Sequence, residues 1–466
     1  GTDTLLVNDA NLDLRDVADS IIKNIEIITL NATGSQTLTL TKTEVEALLE
    51  APNTTLTVNG AAGDTVKFTD SWLQESDQTI SGVTYSQYTQ DGVTVLVQQL
   101  VSAEVLIEGG AEADTLSGGA GADTVSGEAG DDSLDGGAND DSVSGGTGND
   151  TVSGGEGNDT TLGGDGSDTV TGDAGDDATS GGAGDDSVDG GIGNDTVSGG
   201  DGNDTTFGGE GDDTITGDAG DDSTSGGAGD DSVDGGTGDD SVAGGVGNDT
   251  VLGGAGNDTL SGDEGDDIID GGIGIDSLVA GAGNDTLVYD AADVLIDGGE
   301  GSDTLVINDT EVDFINLGSQ VVKNIETLNL AGANPTTVIF NEASVLALGT
   351  TIEDDSVTPS TFSLALTIDG NDLDVVNITG GWTQSSANGA YNVYTSSSLD
   401  AEGNTVVLTL NIFRDITIAV TQAGGDTADT LEGAARADIL EGLGGDDSLA
   451  GNAGNVINGQ GLEILV

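Results

Sequence analysis

The stretch that decides the fold is Gly145 to Thr171, GGTGNDTVS-GGEGNDTTL-GGDGSDTVT, three nonapeptides laid end to end. From Gly109 to Val288 the chain consists of 20 such units without a break. Glycine holds position 1 of all but the last, aspartate holds position 6 of every one, and a small aliphatic usually holds position 8. A fixed short period of this kind specifies a solenoid. Glycines at positions 1, 2 and 4 allow a tight turn with close backbone approach. Positions 7 to 9, as in Thr151-Val152-Ser153, read as a three-residue strand with its middle side chain facing inward. Two units then close one flattened coil, and stacked coils place residue i over residue i+18, at about 4.8 Å.

That stacking lines the position-6 aspartates into two ladders, one along each edge. The series is Asp114, Asp123, Asp132, Asp141, Asp150, Asp159, Asp168, Asp177, Asp186, Asp195, Asp204, Asp213, Asp222, Asp231, Asp240, Asp249, Asp258, Asp267, Asp276 and Asp285. Like charges about 5 Å apart repel by about 3 kcal/mol at an effective dielectric of 20. No lysine, arginine or histidine lies between residues 109 and 306 to offset this. The counter-charge must come from outside, and a donor set of carboxylates and turn carbonyls describes a hard divalent cation, calcium above all.

The consensus GGxGxDxUx resembles the repeats-in-toxin (RTX) calcium-binding β-roll, and the likeness extends to Val306. The unit Tyr289 to Asp297 departs from it, with Val294 where aspartate belongs, and Asp303 restores the pattern. A shorter block at Gly424 to Ala450 follows the same template, with Asp429, Asp438 and Asp447. The resemblance implies multiple Ca2+ ions between successive turns, each held by a position-6 carboxylate and by backbone carbonyls of the glycine-rich loop. Without calcium the tract reads as a disordered acidic chain, so the ion is expected to switch folding.

The apolar side of the roll is thin. Position 8 carries Leu116, Val125, Leu134, Val143 and Val152, but threonine at 161, 179, 206 and 224. Those threonines repeat at 45 residues, and so do Glu128, Asp173, Asp218 and Asp263, which replace the second glycine. A five-unit block has been copied. The extra carboxylates are either further cation ligands or solvated groups.

Outside the repeats the chain duplicates itself. GSDTLVINDTEVDFINLGSQVVKNIETLNL (301 to 330) matches GTDTLLVNDANLDLRDVADSIIKNIEIITL (1 to 30) without a gap, sharing Asp3/Asp303 and the Lys-Asn-Ile-Glu runs 23–26 and 323–326. Further on, Trp72 answers Trp382, and Tyr85 and Tyr88 answer Tyr391 and Tyr394. The expected organisation is a β-rich module at 1–108, a β-roll at 109–306, a second module at 307–423, and a short roll with a C-terminal segment at 424–466. The fold class is all-β, a parallel β-roll flanked by two homologous β-sandwich-like modules. Strands are expected at Thr54 to Val58, Thr65 to Thr69, Val93 to Leu100, Val105 to Ile107, Val406 to Ile412 and Asp415 to Val420. A helix capped by Thr41 and Glu44 is expected before Val45, Leu48 and Leu49, with an Asn341-capped counterpart.

Composition narrows the function. Seven basic residues against 86 acidic ones give a formal charge of −79, which excludes nucleic acid as a partner and disfavours anionic membranes. Cysteine, methionine and histidine are absent, so disulfides, thiol nucleophiles and histidine bases are too. No apolar run approaches a membrane span, and no GxSxG, HExxH or phosphate-binding loop occurs. The expectation is not an enzyme. GTDTLLVNDA does not read as a secretory signal peptide, whereas Glu463-Ile464-Leu465-Val466 resembles the C-terminal signature of type I secretion substrates. The favoured reading is a secreted, extracellular or cell-surface, calcium-dependent structural protein that self-associates, head to tail or in a lattice, into a layer, filament or matrix. The alternative is an adhesin whose modules bind a glycan through Trp72 or Trp382, although one tryptophan per module more often belongs to a core.

Overall fold

The computed structural model describes residues 3–7, 11–14, 22–30, 35–49, 55–61, 64–80, 83–90, 93–98, 102–317, 320–330, 336–348, 361–369, 375–379, 383–388, 391–399, 405–413, 417–423, 430–432, 439–442, 448–450, 456–459 and 463–464. The chain divides into two compact units, Gly1–Thr237 and Gly238–Val466.

In the first unit each nonapeptide forms a six-residue strand, longer than the three residues the pattern suggested. Thr151–Glu156 is representative: its ladder passes Val152, skips Gly154 and resumes at Gly155 opposite Asp173. The glycines at positions 1 and 2 therefore belong to the strand as well as to the turn. Successive strands of one face stand 18 residues apart and run parallel, as Val143 beside Thr161 and Val152 beside Val170 show. One face runs Thr115–Ala120, Ser133–Ala138 and on to Ser223–Ala228, and the other runs from Thr124–Ala129 to Ser232–Thr237. Leu116, Val125, Leu134, Val143, Val152, Val170, Val188 and Val197 are buried between them.

The first module proves two-layered, as a sandwich would be, but its strands are mostly parallel. Thr4–Val7, Ile27–Leu30, Thr55–Asn59 and Val93–Gln98 form one layer, extended by the antiparallel pair Val83–Gln90 and Leu73–Ile80. Asn11–Asp13, Thr37–Leu40, Thr65–Ser71 and Ser102–Glu108 form the other, which passes directly into Thr124–Ala129 of the roll. The module is thus a stack of wider coils continuous with the narrow ones. Bulkier side chains account for the width: the aromatic rings of Phe68, Trp72 and Tyr88 are buried here beside Ile28, Leu38 and Leu56, where the first unit's roll buries only aliphatic and threonine side chains at position 8. Helix α1 (Lys42–Leu48) begins at the expected capping box, with the Glu44 N–H donating to Thr41 Oγ1 at 3.4 Å and the Thr41 N–H to Glu44 Oε2 at 3.1 Å.

The second unit opens with roll strands, Ser241–Val246 to Leu295–Gly301 on one face and Thr250–Ala255 to Thr304–Val306 on the other. The second module then repeats the first. Thr304–Val306 pairs with Thr327–Asn329 and that strand with Thr361–Asp369, while Glu311–Asp313, Thr337–Phe340, Val375–Thr379 and Thr417–Ala423 make a second parallel sheet. Helix α2 (Glu342–Leu348) is capped by Asn341, whose Oδ1 accepts the Ser344 N–H at 2.9 Å. Phe314 and Phe340 stack with ring centroids 4.8 Å apart. Short strands at Thr430–Glu432, Ser448–Ala450 and Glu463–Ile464 pair in parallel. Trp382, Asp429, Asp438 and Asp447 lie outside the described residues.

Candidate metal centre

Along the described roll the position-6 aspartates inward of Asp114 divide their two oxygens between different tasks. Oδ1 accepts the backbone N–H of the aspartate one coil earlier: Asp123 donates to Asp141, Asp132 to Asp150, Asp141 to Asp159 and Asp168 to Asp186, all at 2.7 or 2.8 Å. The same bond carries Asp204 to Asp222 and Asp213 to Asp231 in the first unit, and Asp240 to Asp258, Asp249 to Asp267 and Asp285 to Asp303 in the second. Oδ2 turns into a hollow over the position-1 glycine of its own unit. A Cβ on Gly118 would stand 2.7 Å from Asp123 Oδ2 and 2.5 Å from the carbonyl oxygen of Gly136, the matching glycine of the next coil. At Gly163 both distances, to Asp168 Oδ2 and Gly181 O, are 2.5 Å. A residue without a side chain leaves that hollow open, which explains why glycine holds position 1 of every unit from Gly109 to Gly271.

These oxygens are buried and lack hydrogen-bond donors. Asp141, Asp150, Asp159, Asp168, Asp177, Asp186, Asp195, Asp204 and Asp213 are 4% exposed or less, and none of their Oδ2 atoms accepts a hydrogen bond. The same holds for Asp258, Asp267, Asp276, Asp285 and Asp303. At the outermost turn Asp114 differs, since the Gly110 N–H donates to its Oδ2 at 2.7 Å. Burial, reinforced by neighbouring carboxylates, pushes Asp141 and Asp303 up to about 7 and Asp177, Asp186, Asp213, Asp258 and Asp285 up to about 6. A carboxylate oxygen sealed from water with no donor is a strong demand for positive charge. Among the described residues no three acidic side chains converge on one point, so main-chain carbonyls must supply much of any coordination shell. Oxygen donors of both kinds, meeting in a glycine-lined hollow, fit calcium.

Two features escape the nonapeptide template. In the irregular unit, Asp293 takes the place that Val294 leaves vacant: the Asp276 N–H donates to Asp293 Oδ1 at 3.2 Å, and Asp293 is 2% exposed and pushed up to about 7 by burial. An aspartate adjacent to the missing one was the available signal. Outside the inner ladder runs a second one at position 5, pointing the other way along the stack. The Asn149 N–H donates to Asp131 Oδ1, Ser167 to Asn149 Oδ1 and Asn203 to Asp185 Oδ1, at 2.9 to 3.0 Å. The prevalence of Asn and Asp at position 5 was its sequence mark.

The position-2 acids turn out to be exposed acceptors of hydroxyl groups. Glu128, Asp173, Asp218 and Asp263 adopt φ of 72 to 74°, the left-handed conformation their glycine counterparts use. Thr171 Oγ1 donates to Asp173 Oδ2 at 3.2 Å and Ser198 Oγ to Asp218 Oδ2 at 2.6 Å. Trp72 is fully buried, its ring centroid 5.0 Å from that of Phe68, which lies 5.0 Å from Tyr88.

The fold and these hollows define a calcium-binding parallel β-roll. The family model of the RTX calcium-binding nonapeptide repeat matches the chain in overlapping blocks from 108–143 to 279–306 and again at 423–457. These blocks cover half of the sequence, and the chain belongs to this family. Such repeats bind calcium, and proteins that carry them are typically secreted and more often structural or adhesive than catalytic. The chain matches no curated protein. Among the described residues no helix is long and apolar enough to cross a membrane.

Proposed function

We propose that this chain is a secreted structural protein that folds on binding several Ca2+ ions and self-assembles into an extracellular layer, filament or matrix. The position-6 aspartates, Asp114 through Asp285 with Asp303, Asp429, Asp438 and Asp447, are its cation ligands, and Asp293 joins them. Export by the type I route suits a chain that stays unfolded until it meets external calcium.

The observation that carries the assembly reading is the way a module takes up a roll. Thr304–Val306, the last roll strand of its face and the counterpart of Thr4–Val7, docks in parallel on Thr286–Val288 and passes the pairing on to Thr327–Asn329 of the second module, and the Asp303 N–H is latched by Glu326 Oε2 at 2.9 Å. Thr4–Val7 has the same latch, from the Asp3 N–H to Glu26 Oε2 at 2.8 Å. A strand that receives a roll within the chain is equipped to receive the roll of a second copy. Burial of Trp72 weighs against a glycan platform in the first module and so favours the scaffold over the adhesin. Light scattering at millimolar calcium and in chelator tests the proposal. Calcium-dependent growth of the assembly is expected, and a strictly monomeric species at high protein concentration in calcium would defeat it.

A further inference from the structure

The last coil of the roll is completed by a residue that lies outside the repeat. Earlier in the roll, as at Gly118, Gly163 and Gly253, the carbonyl facing a position-1 glycine comes from the position-1 glycine of the next coil, and at Gly262 it comes from Ala280. At Gly298 that place is filled by the carbonyl oxygen of Asn324, which overlaps the position an added Cβ would take, and Asp303 Oδ2 stands 2.7 Å from the same point. Asp303 is 0% exposed and its Oδ2 accepts no hydrogen bond. The donor pair is therefore of the kind found at Gly118 and Gly163, with one member supplied by the module.

Asn324 is held in that place from several sides. Its φ of 55° is left-handed, a conformation asparagine tolerates better than most residues. Its Nδ2 donates to Asp297 Oδ1 at 2.7 Å, and the neighbouring Lys323 Nζ meets Asp297 Oδ2 at 2.6 Å. One turn on, Glu326 fixes the main chain of Asp303. Side-chain bonds thus enforce what glycine achieves elsewhere by having no side chain.

We propose that the Asn324 main-chain carbonyl and the Asp303 carboxylate share a calcium ion, so that one cation clamps the second module to the roll. This rests on the calcium reading of the roll and extends it to the junction. Folding of the strand Thr327–Asn329, which leaves this turn, is then coupled to the ion and not only to the coils beneath it.

Crystals of the whole chain grown in calcium, with anomalous scattering recorded, test the clamp directly. The expected result is an ion about 2.3–2.6 Å from both Asp303 Oδ2 and Asn324 O. Ions in the roll turns with none at this junction would overturn the clamp alone, whereas no ion in any turn would overturn the calcium reading beneath it. Hydrogen exchange at Thr327–Asn329 during calcium titration gives a second readout. Asn324→Val, which opposes left-handed backbone, should shift the calcium midpoint of protection about tenfold upward. An unchanged midpoint, with protection merely lower at every calcium concentration, marks a purely structural turn and refutes the proposal. Should that variant fail to fold, the wild-type crystal still decides.

Discussion

At the scale of single residues the roll is a set of groups in conflict with burial. The position-6 carboxylate is one such group, and calcium is the counter-charge we propose for it. Four threonines are another. Thr161, Thr179, Thr206 and Thr224 occupy core positions at 3% exposure or less, and none of their hydroxyls has a hydrogen-bond partner. They stack in register as two pairs, Thr161 beside Thr179 and Thr206 beside Thr224. A buried hydroxyl without a partner costs about 1–3 kcal/mol, and valine fills nearly the same volume. Thr206→Val should therefore raise the stability of the calcium-loaded chain by about 1 kcal/mol, measured by denaturant unfolding at fixed calcium. A loss of stability instead would mean that the hydroxyl is satisfied in solution.

At the scale of elements, each coil touches only the coils before and after it, and the effect of damage should be correspondingly local. Asp186 illustrates this: its Oδ1 accepts the Asp168 N–H and its own N–H donates to Asp204 Oδ1. Asp186→Ala removes the first bond and one wall of the hollow over Gly181. Hydrogen exchange should quicken in Thr169–Ala174, Ser187–Ile192 and Thr205–Glu210 and stay unchanged in Thr124–Ala129. Uniform acceleration along the unit would point to all-or-none unfolding instead. The same repetition made the roll legible in sequence, since the strict period sets the 18-residue register of every strand. Legibility failed where the period slips. Asp293 does its work one residue early because the loop from Tyr289 to Asp293 is irregular, and a template anchored on position 6 passes over it. The modules gave up their strands and the Thr41-Glu44 cap but not their connectivity. Alternation along Thr55–Asn59 or Val93–Gln98 marks a buried face without saying whether its neighbour runs parallel or antiparallel. The Lys-Asn-Ile-Glu runs were visible as duplicates, whereas their task of closing the ladder depends on a turn that only three-dimensional placement reveals.

At the scale of the whole molecule, a formal charge of −79 makes folding a question of how much negative charge is neutralised. Calcium is one means, and protons are another. The buried aspartates, pushed up to about 6 or 7, bind protons more tightly in the metal-free coil than in the unfolded chain, where carboxylates keep the ordinary value of 3.8. Between those limits the folded state carries more protons, so its stability must fall as pH rises. The penalty is absent below about pH 4 and fully present above about pH 7. In chelator the chain should accordingly be disordered at neutral pH and gain β structure by circular dichroism as the pH is lowered from 7 towards 4. Light scattering run alongside separates folding from association near the isoelectric point of about 4.1. At saturating calcium the trend should reverse, because protons then compete with the ion for the same oxygens. A metal-free chain equally ordered at pH 8 and pH 4 would show that the carboxylate ladders do not control folding, and would remove the reason calcium is needed.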